Sequence, residues 1–239
     1  MTPSPLGRSE VVVAAFDLDG TLTDGGSVFR WLRATGGLRA ASEASVKMAP
    51  RLALAAVKGG STADEVKQDL FEEVLKGTPL EKVRTASIDF AEHHVATKLR
   101  TDTKARLDWH RAKGHKVVLV SASPELYVTR VGELVGADGV VATRMAVDAE
   151  GNLTGRYEGR NCRGAEKFSR VTTWMRSEGL LGSSDQMPYL WAYGNSRGDL
   201  RLLRAADRGV SCAKLGRLSK LSGFASLDEV VAQSATDPS

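Results

Sequence analysis

At 239 residues, 42% apolar and 26% charged, the chain has the composition of an ordinary soluble protein able to bury a sizeable core. Two cysteines, Cys162 and Cys212, offer neither a disulfide framework nor metal-ligand spacing. No apolar run is long enough to span a bilayer, and the short apolar stretch near the start does not read as a secretory signal, so a cytoplasmic location and no stable membrane insertion are expected. The net charge of +4 arises from 33 basic and 29 acidic residues that interleave along the chain, which reads as a solvated surface, and no nucleic-acid partner is expected.

Residues 1–9, with two prolines and small polar residues, read as a loose tail. The apolar run Val11–Phe16 then predicts a buried strand, and it ends in Asp17-Leu18-Asp19-Gly20-Thr21-Leu22-Thr23-Asp24. An Asx turn is the plain structural use for such acids. Two carboxylates two residues apart at the carboxyl end of a parallel strand, however, lie where open α/β sheets place their ligands, and they point to a divalent metal or a phosphate.

Residues 25–99 contain no convincing strand. Helices are predicted over Val28–Ala34, Ala40–Lys58, Ala63–Lys76 and Leu80–Leu99, with Gly77-Thr78-Pro79 as a stop, which makes this stretch a helical insert. Within it, Arg30, Arg33 and Arg39 are either solvated or hold an anion, and Trp31 either packs or meets a substrate.

Beyond the insert, a helix over Thr103–Lys113 leads to a strand at Lys116–Val120. That strand ends in Ser121-Ala122-Ser123-Pro124, with two hydroxyls. Ser121 is the better candidate for a phosphate contact. Ser123 reads equally well as a substrate contact or as the N-cap of a helix over Glu125–Val135. A strand at Gly139–Ala142 follows, and then a β-hairpin across Arg144–Glu158 turning at Ala149-Glu150-Gly151-Asn152. Lys167 opens a helix that runs to Ser177. The strand Leu190–Tyr193 ends in Gly194-Asn195-Ser196-Arg197-Gly198-Asp199, a helix follows over Leu200–Ala206, and Gly209–Cys212 is a weaker fifth strand. Residues 231–239 read as a second tail. His93, His94, His110 and His115 lack metal-ligand spacing, and the last two are expected on or beside a surface helix. Strands alternating with helices argue for a doubly wound α/β sheet.

The strand ends thus collect carboxylates, hydroxyls, one ammonium and an Asn/Asp pair, which suits a phosphoryl group handled with Mg²⁺. Asp17-Leu18-Asp19-Gly20-Thr21-Leu22-Thr23 after a strand, followed in order by Ser121, Lys167 and Asp199, resembles the haloacid dehalogenase (HAD) superfamily in its phosphoserine-phosphatase-like branch, subfamily IB. The resemblance covers about residues 10–230. It implies a Rossmann-like parallel sheet, a catalytic core of residues 10–24 and 100–230, a helical cap of residues 25–99 and a short β-hairpin flap. It also implies Mg²⁺-dependent hydrolysis of a small phosphorylated substrate through an aspartyl-phosphate.

By that resemblance Asp17 is the nucleophile, and Asp19 is the acid to the leaving alcohol and then the base for water. Ser121 and Ser123 contact the phosphorylated substrate, and Lys167 offsets negative charge. Asp17, the backbone carbonyl of Asp19, Asn195 and Asp199 are the Mg²⁺ ligands. The family carries an acid where this chain has Asn195; an amide oxygen can ligate Mg²⁺ but brings no charge, so weaker metal binding is expected. Phosphotransfer to an alcohol would use the same residues, and Asn195 is the feature that favours a non-catalytic phospholigand-binding protein. The branch does not fix the substrate.

Overall fold

A computed structural model of the chain describes residues 11–58, 60–182, 186–213 and 223–236. The expected tail at residues 1–9 lies outside these. Six parallel strands form one sheet in the order β3-β2-β1-β6-β7-β8. They are β1 (Val12–Phe16), β2 (Lys116–Pro124), β3 (Gly139–Thr143), β6 (Tyr189–Gly194), β7 (Arg208–Ser211) and β8 (Ala225–Ser226). The central strand β1 is apolar on both faces because helices cover both. Ala14, Phe16, Val117 and Leu119 face the layer that includes α6 (Thr101–Ala112) and α7 (Glu125–Val135). Val13, Ala15, Val118 and Val120 face α8 (Ala165–Ser177) and α9 (Leu200–Ala205).

The chain leaves β1 for β2 on one side and returns to β6 on the other, so a topological switch point lies at the carboxyl end of β1. Phe16 pairs with Leu119 of β2 and with Tyr193 of β6. The three strand ends that carry the chemistry are therefore level with one another.

Between β1 and β2 the described residues form five helices before α6, one more than predicted for residues 25–99: α1 (Val28–Gly36), α2 (Leu38–Lys47), α3 (Ala49–Lys58), α4 (Gly60–Leu75) and α5 (Leu80–Lys98). The helix expected over Ala40–Lys58 is broken at Met48. Pro50 has no N–H to continue the ladder, and it sits instead in the first turn of α3, where a proline costs nothing. The hairpin is present as antiparallel β4 (Met145–Val147) and β5 (Leu153–Tyr157). It does not hang free. Leu153 N donates to Thr78 O at 2.9 Å, Gly77 N to Leu153 O at 2.9 Å, and Tyr157 N to Gln68 Oε1 at 3.1 Å. A Cβ at Gly155 would lie 2.2 Å from the Glu72 Cα, so flap and cap helix meet backbone to backbone there.

Three expectations are corrected. Residues 231–236 are not tail but belong to α10 (Leu227–Thr236), anchored by fully buried Val230. Its start is a capping box: Ser226 N donates to Glu229 Oε2 at 2.7 Å, and Glu229 N to Ser226 Oγ at 3.3 Å. Second, β2 extends through Pro124, with a register irregularity between Val120 and Pro124. Third, His110 points inward from α6 and is fully buried. Its Nε2 meets the Tyr193 hydroxyl at 2.7 Å and its Nδ1 meets His115 Nδ1 at 2.7 Å, while Arg106 Nε donates to the same tyrosine at 2.8 Å. Tyr193 in turn stacks on Phe16 with centroids 4.2 Å apart.

Burial, and then the Arg106 charge, push the His110 pKa down to about 2, and burial pushes His94 down to about 4. Both imidazoles are neutral in the fold but take up protons near pH 6.5 once unfolded. Stability is therefore expected to fall as pH drops below about 6.5, by roughly 1.4 kcal/mol per pH unit per histidine. Urea unfolding at pH 7 and pH 5 checks this: His110→Gln should flatten the pH slope by about one proton, and an unchanged slope would contradict it.

Candidate active site

The loop after β1 is shaped around its two acids. The Leu18 carbonyl accepts from Thr21 N, Leu22 N and Thr23 N at 2.9–3.2 Å, which curls the chain back on itself. Gly20 has φ +83°, and a Cβ there would lie 2.0 Å from Asn195 Nδ2. Glycine is thus required twice, by the turn and by the close approach of the β6 loop.

Asp17 is buried at the switch point. One oxygen accepts from Lys167 Nζ at 2.6 Å and the other from Thr21 Oγ1 at 2.8 Å. Lys167, in the first turn of α8, is 1% exposed and also donates to Asp199 Oδ1 at 2.6 Å. Burial opposes the Lys167 charge, but the two carboxylates outweigh it and hold its pKa above the ordinary lysine value. Burial, and then repulsion from Asp199, raise Asp17 to about 7 against the pull of Lys167. Asp199 shifts the other way: burial would raise it, but Lys167 and the Ser196 hydrogen bonds hold it low.

The Asp199 carboxylate is heavily engaged. Its second oxygen accepts from Asn195 N at 3.2 Å, Ser196 N at 2.9 Å and Ser196 Oγ at 2.8 Å. It therefore ties the β6 loop to Lys167. The Asn195 amide is arranged differently: its buried Oδ1 finds no hydrogen-bond partner among the described residues. An orphaned hard oxygen, in a loop packed against Gly20 of the Asp17 loop, is a donor that a Mg²⁺ ion would satisfy. Among the described residues no group of three or more His, Cys, Asp or Glu is placed to hold a metal ion. The fit therefore rests on a mixed donor set of carboxylate, backbone carbonyl and amide.

Asp19 faces the start of α1. Ser27 N donates to Asp19 Oδ1 at 2.6 Å and Ser123 Oγ to Asp19 Oδ2 at 2.5 Å. Ser123 is not a helix cap: the N-cap position of α7 is Pro124, without a side-chain cap bond. Ser121 lies 1% exposed at the same strand end, and its Oγ accepts from Ser123 N at 3.0 Å. The structure thus brings Asp17, Asp19, Ser121, Ser123, Lys167, Asn195 and Asp199 to one end of the sheet.

Of the other candidates, Trp31 is a packing residue. It is fully buried, donates from Nε1 to Ser87 Oγ at 2.8 Å, and meets Phe71 edge-on at 5.8 Å. Arg39 is exposed and paired with Glu43 at 2.8 Å. Arg30 and Arg33 line a hollow of about 360 Å³ beside His93 and Lys98.

Two residues at the site carry no signal in the sequence. Lys67, on α4, reaches from the cap to the core and donates to Ala122 O at 2.8 Å and Asn161 Oδ1 at 2.9 Å. Burial lowers its pKa to about 8. Tyr127, on α7, is fully buried and bonds the Ser27 hydroxyl.

Known proteins bear on this geometry. Protein CicA of Caulobacter vibrioides (strain NA1000 / CB15N) is 32% identical over 198 residues, 83% of this chain and 84% of CicA. A Bordetella pertussis Tohama I protein of unknown function shares the fold with a TM-score of 0.75 at 23% identity, covering 90% of this chain and 97% of that one. A substrate-bound phosphoserine phosphatase shares it with a TM-score of 0.61 at 19% identity, covering 96% and 99%. The sequence profile of the haloacid dehalogenase-like hydrolases matches residues 14–204, from the strand that Asp17 follows to the helix that follows Asp199. This chain therefore belongs to the haloacid dehalogenase-like hydrolase family.

Proposed function

We propose that the chain is a Mg²⁺-dependent phosphatase that hydrolyses the phosphate monoester of a small metabolite through an aspartyl-phosphate on Asp17. The observation that carries this reading is the buried Lys167 ammonium held at 2.6 Å from both Asp17 and Asp199, at the switch point of the sheet.

The Asp17 oxygen attacks phosphorus and the ester oxygen leaves, taking a proton from the Asp19 carboxyl. Water, losing a proton to Asp19, then attacks the phosphoryl group and frees Asp17. Lys167 offsets the negative charge of Asp17 and of the phosphoryl oxygens, and the Ser121 hydroxyl hydrogen-bonds one of those oxygens. Ser123 acts through Asp19, and Asp199 positions Lys167 and the Asn195 loop. Mg²⁺ would be held by Asp17, the Asp19 carbonyl and Asn195, and not by Asp199, the fourth ligand expected, whose oxygens already accept from Lys167, Asn195 N and Ser196. It would neutralise phosphoryl charge, and the amide makes its binding weaker than a carboxylate in its place would. The cap excludes bulk water from the closed site.

Turnover of p-nitrophenyl phosphate with Mg²⁺, and its loss with EDTA, is the expected result. Absence of turnover with Mg²⁺, Mn²⁺ and Co²⁺ alike would sink the phosphatase reading and leave the phospholigand-binding alternative that the neutral Asn195 favours. Adding glycerol and measuring glycerol phosphate against free phosphate separates transfer from hydrolysis.

A further inference from the structure

Resting on that reading, a second feature concerns how Asp19 is held. Its two carboxylate oxygens are gripped from opposite bodies of the molecule. Ser27 N, at the N-cap position of the first cap helix, donates to Oδ1 at 2.6 Å, and Ser123 Oγ, at the end of core strand β2, donates to Oδ2 at 2.5 Å. Tyr127, on core helix α7, holds the cap side of this grip. Its hydroxyl hydrogen-bonds Ser27 Oγ, on the residue whose N–H donates to Asp19. Ser27 and Tyr127 are fully buried, and Ser123 is 2% exposed.

The Tyr127 ring is covered by the cap, with Trp31 of α1 at 5.6 Å and Phe90 of α5 edge-on at 5.1 Å. Three cap residues therefore meet one core side chain, and that side chain is one residue, Ser27, removed from Asp19. Burial, and then the nearby Asp19 charge, hold the phenol far above its ordinary pKa, so it remains a neutral hydroxyl able to donate and accept at once.

We propose that Tyr127 is a positioning residue that couples seating of the cap to the orientation of the Asp19 carboxylate. When the cap is seated, Tyr127 holds Ser27 in place, and Ser27 N and Ser123 Oγ together fix both Asp19 oxygens. When α1 lifts, Ser27 leaves with it. Asp19 then loses one donor and Tyr127 one partner, and the carboxylate is free to rotate away from the leaving group and the attacking water. Proton transfer is thereby confined to the closed, water-excluding state.

Tyr127→Phe removes the hydroxyl and keeps the ring between Trp31 and Phe90. Its kcat for p-nitrophenyl phosphate is expected to fall about ten-fold or more, with KM within about three-fold of wild type. In rapid mixing it should retain a burst of about one p-nitrophenolate per site ahead of the slow steady state. A good leaving group needs no proton from Asp19, whereas the water step needs Asp19 as base. Ser27→Ala leaves the backbone donor in place but breaks the same link to Tyr127. It should show the same signature, and the double variant should be no slower than Tyr127→Phe by more than about two-fold. Retained kcat in both single variants, or losses that multiply in the double variant, overturns the coupling and leaves the phosphatase reading standing. A wild type that turns over no phosphate ester removes the reading and the coupling with it.

Discussion

Asp17→Asn is expected to abolish phosphatase turnover, by about 10⁴-fold or more, while the protein stays folded and at least as stable as wild type to within about 1 kcal/mol. The loss follows from the nucleophile: an amide cannot carry the phosphoryl group. The preserved stability follows from the site. Lys167 is a single cation between two buried carboxylates, so the triad carries net negative charge in a place nearly closed to water. Burial and Asp199 already raise the Asp17 carboxyl to about 7, so its charge is costly to the fold. Asparagine removes that charge and keeps the contacts, because its oxygen can accept from Lys167 while the Thr21 hydroxyl turns to accept from its amide. Steady-state assays beside urea unfolding at pH 7 would check both halves. Residual turnover within 100-fold of wild type would remove Asp17 from the nucleophile's role. A stability loss above about 2 kcal/mol would mean that the charge, and not the hydrogen bonds, holds the site together.

The cluster of polar residues at the carboxyl ends of the strands was legible because its signals are local. A continuous apolar run marks β1 as buried on both faces, and acids directly after it have little structural use. The helix expected over Glu125–Val135 is α7 to the residue. What escaped has a shared cause in tertiary placement. Ser123 reads equally well as a helix cap or a substrate contact because Pro124 and Glu125 follow it, but β2 continues through Pro124 and the hydroxyl donates to Asp19, 104 residues away. Lys67 is one lysine in a polar helical stretch, and only the closure of α4 over the core brings it to Ala122. Tyr127 reads as an apolar-face residue of α7, and its hydroxyl acquires meaning through Ser27, 100 residues earlier. β8 spans two residues, too short to leave a period. The α10 capping box, Ser226 to Glu229, was by contrast a readable signal, masked by the polar composition of the final residues.

Lys167→Met should be the opposite of Asp17→Asn: inactive, and strongly destabilised. Methionine nearly matches the length of lysine and fits the burial, so packing changes little. What is lost is the one cation shared by Asp17 and Asp199, each within 2.6 Å of it and each nearly inaccessible to water. Removing one partner of a buried ion pair costs about 3–5 kcal/mol, a large part of the roughly 5–15 kcal/mol that keeps a domain folded. The deficit should depend on pH with a definite sign. Without Lys167 the Asp17 carboxyl rises further above its unfolded pKa and Asp199 loses the cation that holds it low, so the folded variant holds more protons than folded wild type. Its deficit is therefore largest at alkaline pH and shrinks on acidification. Urea unfolding of both proteins at pH 8 and pH 5.5 should show the gap narrowing. Adding Asp17→Asn to Lys167→Met should restore part of the loss, because it removes one of the two orphaned charges, and the cycle of four proteins reads out the Asp17–Lys167 coupling directly. A gap below about 1 kcal/mol at pH 8, or one that widens on acidification, would show that Lys167 does not hold the two carboxylates in the fold.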